Sequence, residues 1–144
     1  MNSSPIRNRG KENQLIQFFV APTVDAVCCV TILTELFRVE GLKHSITPIN
    51  NYDQLKLNFK KIITMTNVHT IIFVDCVGAI NCQMELFNEI EIEQYEVIIF
   101  DSHRPFHQSN IKHPQIKIIV NQEYLQVNVR KCYLNLIFLH YCKL

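Results

Sequence analysis

Apolar residues in this chain fall into short, nearly continuous runs, with stretches between them where they recur every three or four positions. Leu15–Val20 (LIQFFV), residues 70–75 (TIIFVD), 97–101 (VIIFD) and 116–120 (IKIIV) have the first pattern. Such runs predict strands covered on both faces. Between the first two lies a stretch with helical spacing. Residues 24–37 place Cys29, Ile32, Leu33 and Leu36 at i, i+3, i+4 and i+7, which predicts a helix with those four on its apolar face, ended by Gly41. Residues 45–49 predict a short strand. Pro48 within it cannot donate to a ladder, so this strand belongs at a sheet edge. Asn51 is placed to cap a second helix striped by Tyr52, Leu55, Phe59 and Ile62. A short, weaker helix is expected over residues 81–88.

Strands alternating with helices imply right-handed crossovers. The expected fold is therefore α/β: a mainly parallel, doubly wound sheet of about five strands. Its span is 15–120, preceded by a disordered tail over 1–14 and followed by an atypical segment over 121–144. Within that last segment the apolar stretch 132–142 is too short for a membrane span, which needs about 20 residues, and predicts a buried strand or short helix.

Composition adds little direction. The chain has 144 residues, 48% hydrophobic and 19% charged, with a net charge of +1, which is ordinary globular usage with no field to draw in nucleic acid or an acidic membrane. The start lacks an apolar signal region, and Arg7, Arg9 and Lys11 form at most a weak import cluster. Six cysteines include no C-x-x-C pair, so reduced thiols in the cytosol or nucleus are expected.

The chemistry gathers at the strand ends. In a parallel sheet the carboxyl ends share one rim, where ligands bind. Asp25, Asp75 and Asp101 all fall there, with Ser102, His103 and Arg104 directly after. Three carboxylates and an imidazole suit divalent ions and a phosphate, and Arg104 can grip a phosphate through two nitrogens. Taken singly, an aspartate after a strand more commonly caps the next helix or turn.

These motifs resemble the DHH phosphoesterase superfamily, which includes RecJ exonucleases and manganese pyrophosphatases. A closer resemblance is to the cell division control protein 45 family. It is carried by FFVAPTVDAVCCVTILTELF (18–37), SITPINNYDQL (45–55) and IIFDSHRPFHQSNI (98–111). The resemblance places Phe19 where active relatives have a histidine, and Thr23 and Asp25 at the two aspartate positions of the first motif. It places Asp75 at the metal-bridging aspartate, and Asp101, Ser102 and His103 at the Asp-His-His motif. Phe19, Thr23 and Ser102 thus replace ligands, while His103 retains the position that meets phosphate. The resemblance therefore implies a relic rim of Asp25, Asp75, Asp101, His103 and Arg104, with no catalytic residue and no cofactor, and room only for a single weakly held Mg²⁺ or Mn²⁺ ion. It implies a DNA replication initiation factor in the nucleus, a non-catalytic scaffold of the replicative helicase. The partners implied are MCM subunits and GINS, with single-stranded DNA as a further ligand and no membrane. The alternative is a small DHH-type metal-dependent phosphoesterase.

Other patterns point less sharply. His103, His107 and His113 with Cys76 or Cys82 lack the paired spacing of structural zinc, and Pro105 and Pro114 predict a loop there. Glu85, Glu89, Glu91, Glu93 and Glu96 read as a solvated acidic face, with an interaction module as the other reading. Lys56, Lys60 and Lys61, with Lys43 nearby, make a modest basic face. No phosphate-binding glycine loop occurs.

Overall fold

The computed structural model describes residues 14–102 and 105–119. His103 and Arg104, the 1–13 stretch and the 120–144 segment lie outside the described residues, and with them the expectations made for each.

Five strands, β1 (Leu15–Val20), β2 (Lys43–Pro48), β3 (Val68–Val74), β4 (Glu96–Phe100) and β5 (Ile116–Ile119), form one sheet in the order β2-β1-β3-β4-β5. Every pairing is parallel. The helices are α1 (Val24–Val39), α2 (Tyr52–Ile62), α3 (Cys82–Glu85) and α4 (Gln108–Lys112), with a 3-10 turn over Ile92–Gln94. The expected parallel α/β sheet is therefore the observed one, and β2 does occupy an edge, with Pro48 as its last residue. Among the described residues no helix is long and apolar enough to cross a membrane.

The walk from β1 to β2 runs one way across the sheet, and the later crossovers run the other way. Right-handed connections then put α1 on one face and the remaining helices on the other. The packing agrees. Ile16, Phe18, Val20, Ile72, Val74 and Ile98 meet Ala26, Val30, Leu33 and Phe37 of α1. On the opposite face Phe19, Ile71, Phe73, Val97 and Ile99 meet Leu55 and Phe59 of α2, then Leu86, Phe87 and Ile92. Aromatic rings link that side: Phe19 stacks on Phe73 at 5.4 Å, and Phe59 sits edge-on to Phe87 at 4.9 Å. Rings at such offsets add attraction beyond the area they bury.

Three expectations change. The buried stripe of α1 is Ala26, Val30, Leu33 and Phe37, while Ile32 is 63% exposed and Cys29 and Leu36 are half-buried. Hydrophobicity alone chose a face rotated by about a quarter turn, because α1 carries apolar residues around most of its circumference. The expected 81–88 helix shrinks to Cys82–Glu85. The loop expected between Pro105 and Pro114 contains α4, which begins after both the proline and its capping residue His107. A proline ahead of the first turn is compatible with a helix.

Gln17 was hidden inside an apolar run. It is fully buried, its Nε2 donates to the Phe18 carbonyl at 2.7 Å and to Thr47 Oγ1 at 2.9 Å, and its Oε1 has no partner among the described residues.

Candidate functional site at the strand ends

The parallel sheet delivers the carboxyl ends of β1, β3 and β4 side by side. Val20 is in register with Val74, and Val74 with Phe100. The next backbone bonds carry the alignment past the strands: Ala21 N–H donates to the Val74 carbonyl at 3.0 Å, and Asp75 N–H to the Phe100 carbonyl at 2.8 Å. Residues 21–25, 75–78 and 101–102 are thereby brought to one rim.

Thr23 is the N-cap of α1. Its Oγ1 accepts from Ala26 N–H at 3.1 Å and donates to Asp75 Oδ2 at 2.7 Å. One hydroxyl thus satisfies a helix terminus and ties the end of β1 to the end of β3. Asp75 has φ of 56°, a left-handed conformation that aspartate adopts more readily than most residues, and it turns the chain sharply off the strand. Asp25 lies in the first turn of α1, exposed, where its charge favours the helix N-terminus.

Asp101 is 7% exposed and its Oδ2 accepts from Gly78 N–H at 3.0 Å. A Cβ on Gly78 would lie 2.7 Å from that oxygen and 3.0 Å from the Phe106 ring, so only glycine fits between them. Two further bonds clasp the same loops: His107 N–H donates to the Gly78 carbonyl at 2.8 Å, and fully buried Asn110 donates to the Ile80 carbonyl at 2.6 Å while accepting from Cys82 N–H at 3.1 Å. Sequence reasoning missed Gly78 and Asn110. Their contacts span 23 and about 30 residues, and only the glycine, one of three in the chain, carried a signal.

Phe19, at the histidine position of the first motif, is fully buried in the aromatic cluster, against Phe59 and Phe73. Ser102 is exposed. The rim thiols are poor nucleophiles. Burial pushes Cys76 and Cys82 up to about 12, and burial with the nearby Asp75 charge pushes Cys29 up to about 11. His107 and His113 are turned to local backbone, accepting from Ser109 and Gln115 N–H. Among the described residues no group of three or more His, Cys, Asp or Glu is close enough to hold a metal ion.

The charged patches also resolve. Lys56 pairs with Glu85 at 2.9 Å and lies over the Tyr52 ring, so the basic face of α2 is partly neutralised by the acidic stretch. Glu96 pairs with Lys117 across β4 and β5.

Comparison with known proteins agrees with this geometry. The CDC45 family model matches residues 16–131. The chain belongs to the CDC45 family. A solved CDC45 from Entamoeba histolytica superposes with a TM-score of 0.73 at 44% identity, over 85% of this chain and 24% of that one. Cell division control protein 45 homologues from Homo sapiens and Schizosaccharomyces pombe are 26% and 28% identical over 78% and 67% of this chain. The chain spans less than a fifth of the length of these curated CDC45 relatives, 19% and 15% respectively.

Proposed function

We propose that this chain serves DNA replication initiation as a non-catalytic scaffold. Its partners in this reading are the MCM subunits and GINS of the replicative helicase, its compartment is the nucleus, and single-stranded DNA is a further ligand. Family membership and the 44% identity to a solved CDC45 support the replication role.

The observation that carries the non-catalytic part is the 2.7 Å bond from Thr23 to Asp75. Two-metal phosphoryl hydrolysis needs a bridging carboxylate flanked by further anionic or imidazole ligands. A hydroxyl on the bridging position supplies a proton donor where a cation needs a lone pair. With Phe19 buried among aromatic rings, a second flanking ligand is replaced by hydrocarbon. Asp75 and Asp101 then serve as structural ties between strand ends, and any Mg²⁺ or Mn²⁺ would be held mostly by its own water.

The test is hydrolysis of pyrophosphate and single-stranded DNA by the full chain with Mn²⁺. No turnover is expected. Metal-dependent turnover abolished by Asp75→Ala would instead establish a small DHH-type phosphoesterase. Retention of purified MCM and GINS on the immobilised chain tests the scaffold role, and absence of retention overturns it.

A further inference from the structure

Among the described residues β2 has one neighbour in the sheet, β1. Backbone bonds fix which of its residues face outward. Ile49 N–H donates to the Val20 carbonyl at 2.8 Å. Backbone groups alternate sides along a strand, so Lys43, Ser45 and Thr47 turn theirs to β1 as well, while Leu42, His44, Ile46 and Pro48 turn theirs away from it. At one end, Leu42 N–H is taken by the Phe37 carbonyl at 2.8 Å, and the Leu42 carbonyl lies 3.2 Å from His44 Nδ1. At the other, Pro48 has no N–H to give. The outer side of β2 is therefore a short ladder of His44 and Ile46, closed at both ends. Ile46 is 47% exposed there, a branched apolar side chain on an open edge.

We propose that this edge pairs, antiparallel, with the same edge of a second copy of the chain, joining the two sheets into one. The ladder is self-complementary. With Ser45 on the two-fold axis, His44 of each copy lies opposite Ile46 of the other, and each such pair exchanges both of its N–H to carbonyl bonds. Every open backbone group of the ladder is then used. A register centred on His44 or on Ile46 leaves backbone groups of each copy without a partner. The side chains agree. On the α2 face Ser45 meets Ser45 and Lys43 meets Thr47, so no charge faces a like charge. On the α1 face Ile46 of each copy is covered by His44 of the other, whose ring already lies edge-on to Phe18 at 6.3 Å and to Phe37 at 6.2 Å. A second copy is favoured over a foreign strand because a ladder closed at both ends is completed by a strand closed in the same way, and β2 is such a strand. The contact is small, in the class that buries less than about 1,200 Å², so the dimer is weak and depends on chain concentration. This pairing rests on the sheet edge and is independent of the replication role.

Two measurements on the full chain test it. Antiparallel partners that share no hydrogen bond have Cα atoms about 4.5 Å apart, within disulfide reach, and Ser45 meets itself in that way. After mild oxidation at high chain concentration, Ser45→Cys should yield the tryptic peptide 44–56 joined to itself through the new thiol. Lys43→Cys sets its two thiols about 13 Å apart along the strands, and should give less than about a tenth of that yield. No joined 44–56 peptide, or equal yields at the two positions, overturns the proposal. Independently, Ile46→Pro removes the outward donor and leaves the bonds to β1 in place. Sedimentation velocity should then show dimerisation weakened at least about tenfold, with circular dichroism unchanged. A parent chain that stays monomeric at every concentration, or a proline variant that dimerises as tightly as the parent, overturns it. If the proline variant loses its circular dichroism signal, the two cysteine variants decide.

Discussion

On one face of the sheet, α2, α3 and the 3-10 turn bury a chain of aromatic rings from Phe19 through Phe73, Phe59 and Phe87 to Tyr95; on the other, among the described residues, α1 is the one helix packed on the strands. The first arrangement interlocks large flat groups that were supplied by five separate segments. The second rests on small and branched residues of one helix, Ala26, Val30 and Leu33, with Phe37 as its single ring. A parallel sheet needs cover on both sides. Among the described residues, the crowded face therefore carries the larger interlocked core.

The sharpest way to break this contrast is to remove a ring from each face. Phe59→Ala should cost about 4 kcal/mol, near the upper end for a buried aromatic, because the surrounding rings are held from several directions and cannot collapse. Phe37→Ala should cost about 3 kcal/mol, because α1 can settle onto the sheet. Urea titrations of the two variants compare them, and equal costs would remove the distinction.

Gly78→Ala tests the crowded rim. The added methyl meets Asp101 and Phe106, and about 1–3 kcal/mol should be lost. Thermal unfolding would read this loss, and an unchanged midpoint would mean the loops part easily. At the matching place on the other side, Thr23→Val should cost about 1–2 kcal/mol, because it removes both the cap and the tie to Asp75.

Thiol titration separates the faces more gently. The folded state holds Cys76 and Cys82 at about 12 and Cys29 at about 11, against an unfolded value of 9.0. Below pH 9 each thiol is protonated in both states and contributes no pH dependence. Above it the unfolded chain loses protons that the folded one keeps, so stability falls as pH rises, by up to about 1.4 kcal/mol per pH unit for each of the two well-buried thiols and by less for half-buried Cys29. The loss from Cys29 should end near pH 11 and that from the two crowded-face thiols near pH 12. Unfolding midpoints of Cys29→Ala and Cys82→Ala against pH would show it. The smallest effect belongs to the surface: Lys56→Ala should leave the urea midpoint almost unchanged, since its pairing with Glu85 is exposed to solvent.

How much of this was legible follows from the range of each interaction. The strands were readable because an unbroken apolar run has one use in a parallel sheet, and Asp25, Asp75 and Asp101 could be assigned to one rim because strand direction alone sends them there. The inward face of α1 was not readable: with Val24, Val27, Ile32 and Val39 all exposed, apolar residues surround the helix and periodicity loses its phase. Gln17 broke the rule that polar groups avoid cores, and nothing local announces its bond to Thr47. The Gly78–Asp101 clasp needed the register between β3 and β4, which sequence spacing does not fix. The Thr23–Asp75 bond lay between, since both residues were placed at the rim and only their meeting was unknown.

The all-parallel order has a consequence for how the chain comes into being. β1 is made first, yet it pairs with β2 and β3, and so its backbone stays unsatisfied on one side until Val68 has emerged. Contacts so far apart along the chain form slowly. During synthesis the Phe18-Phe19-Val20 stretch is therefore a sticky thread awaiting its neighbours, a stage at which holding factors in the cell would have the most to protect.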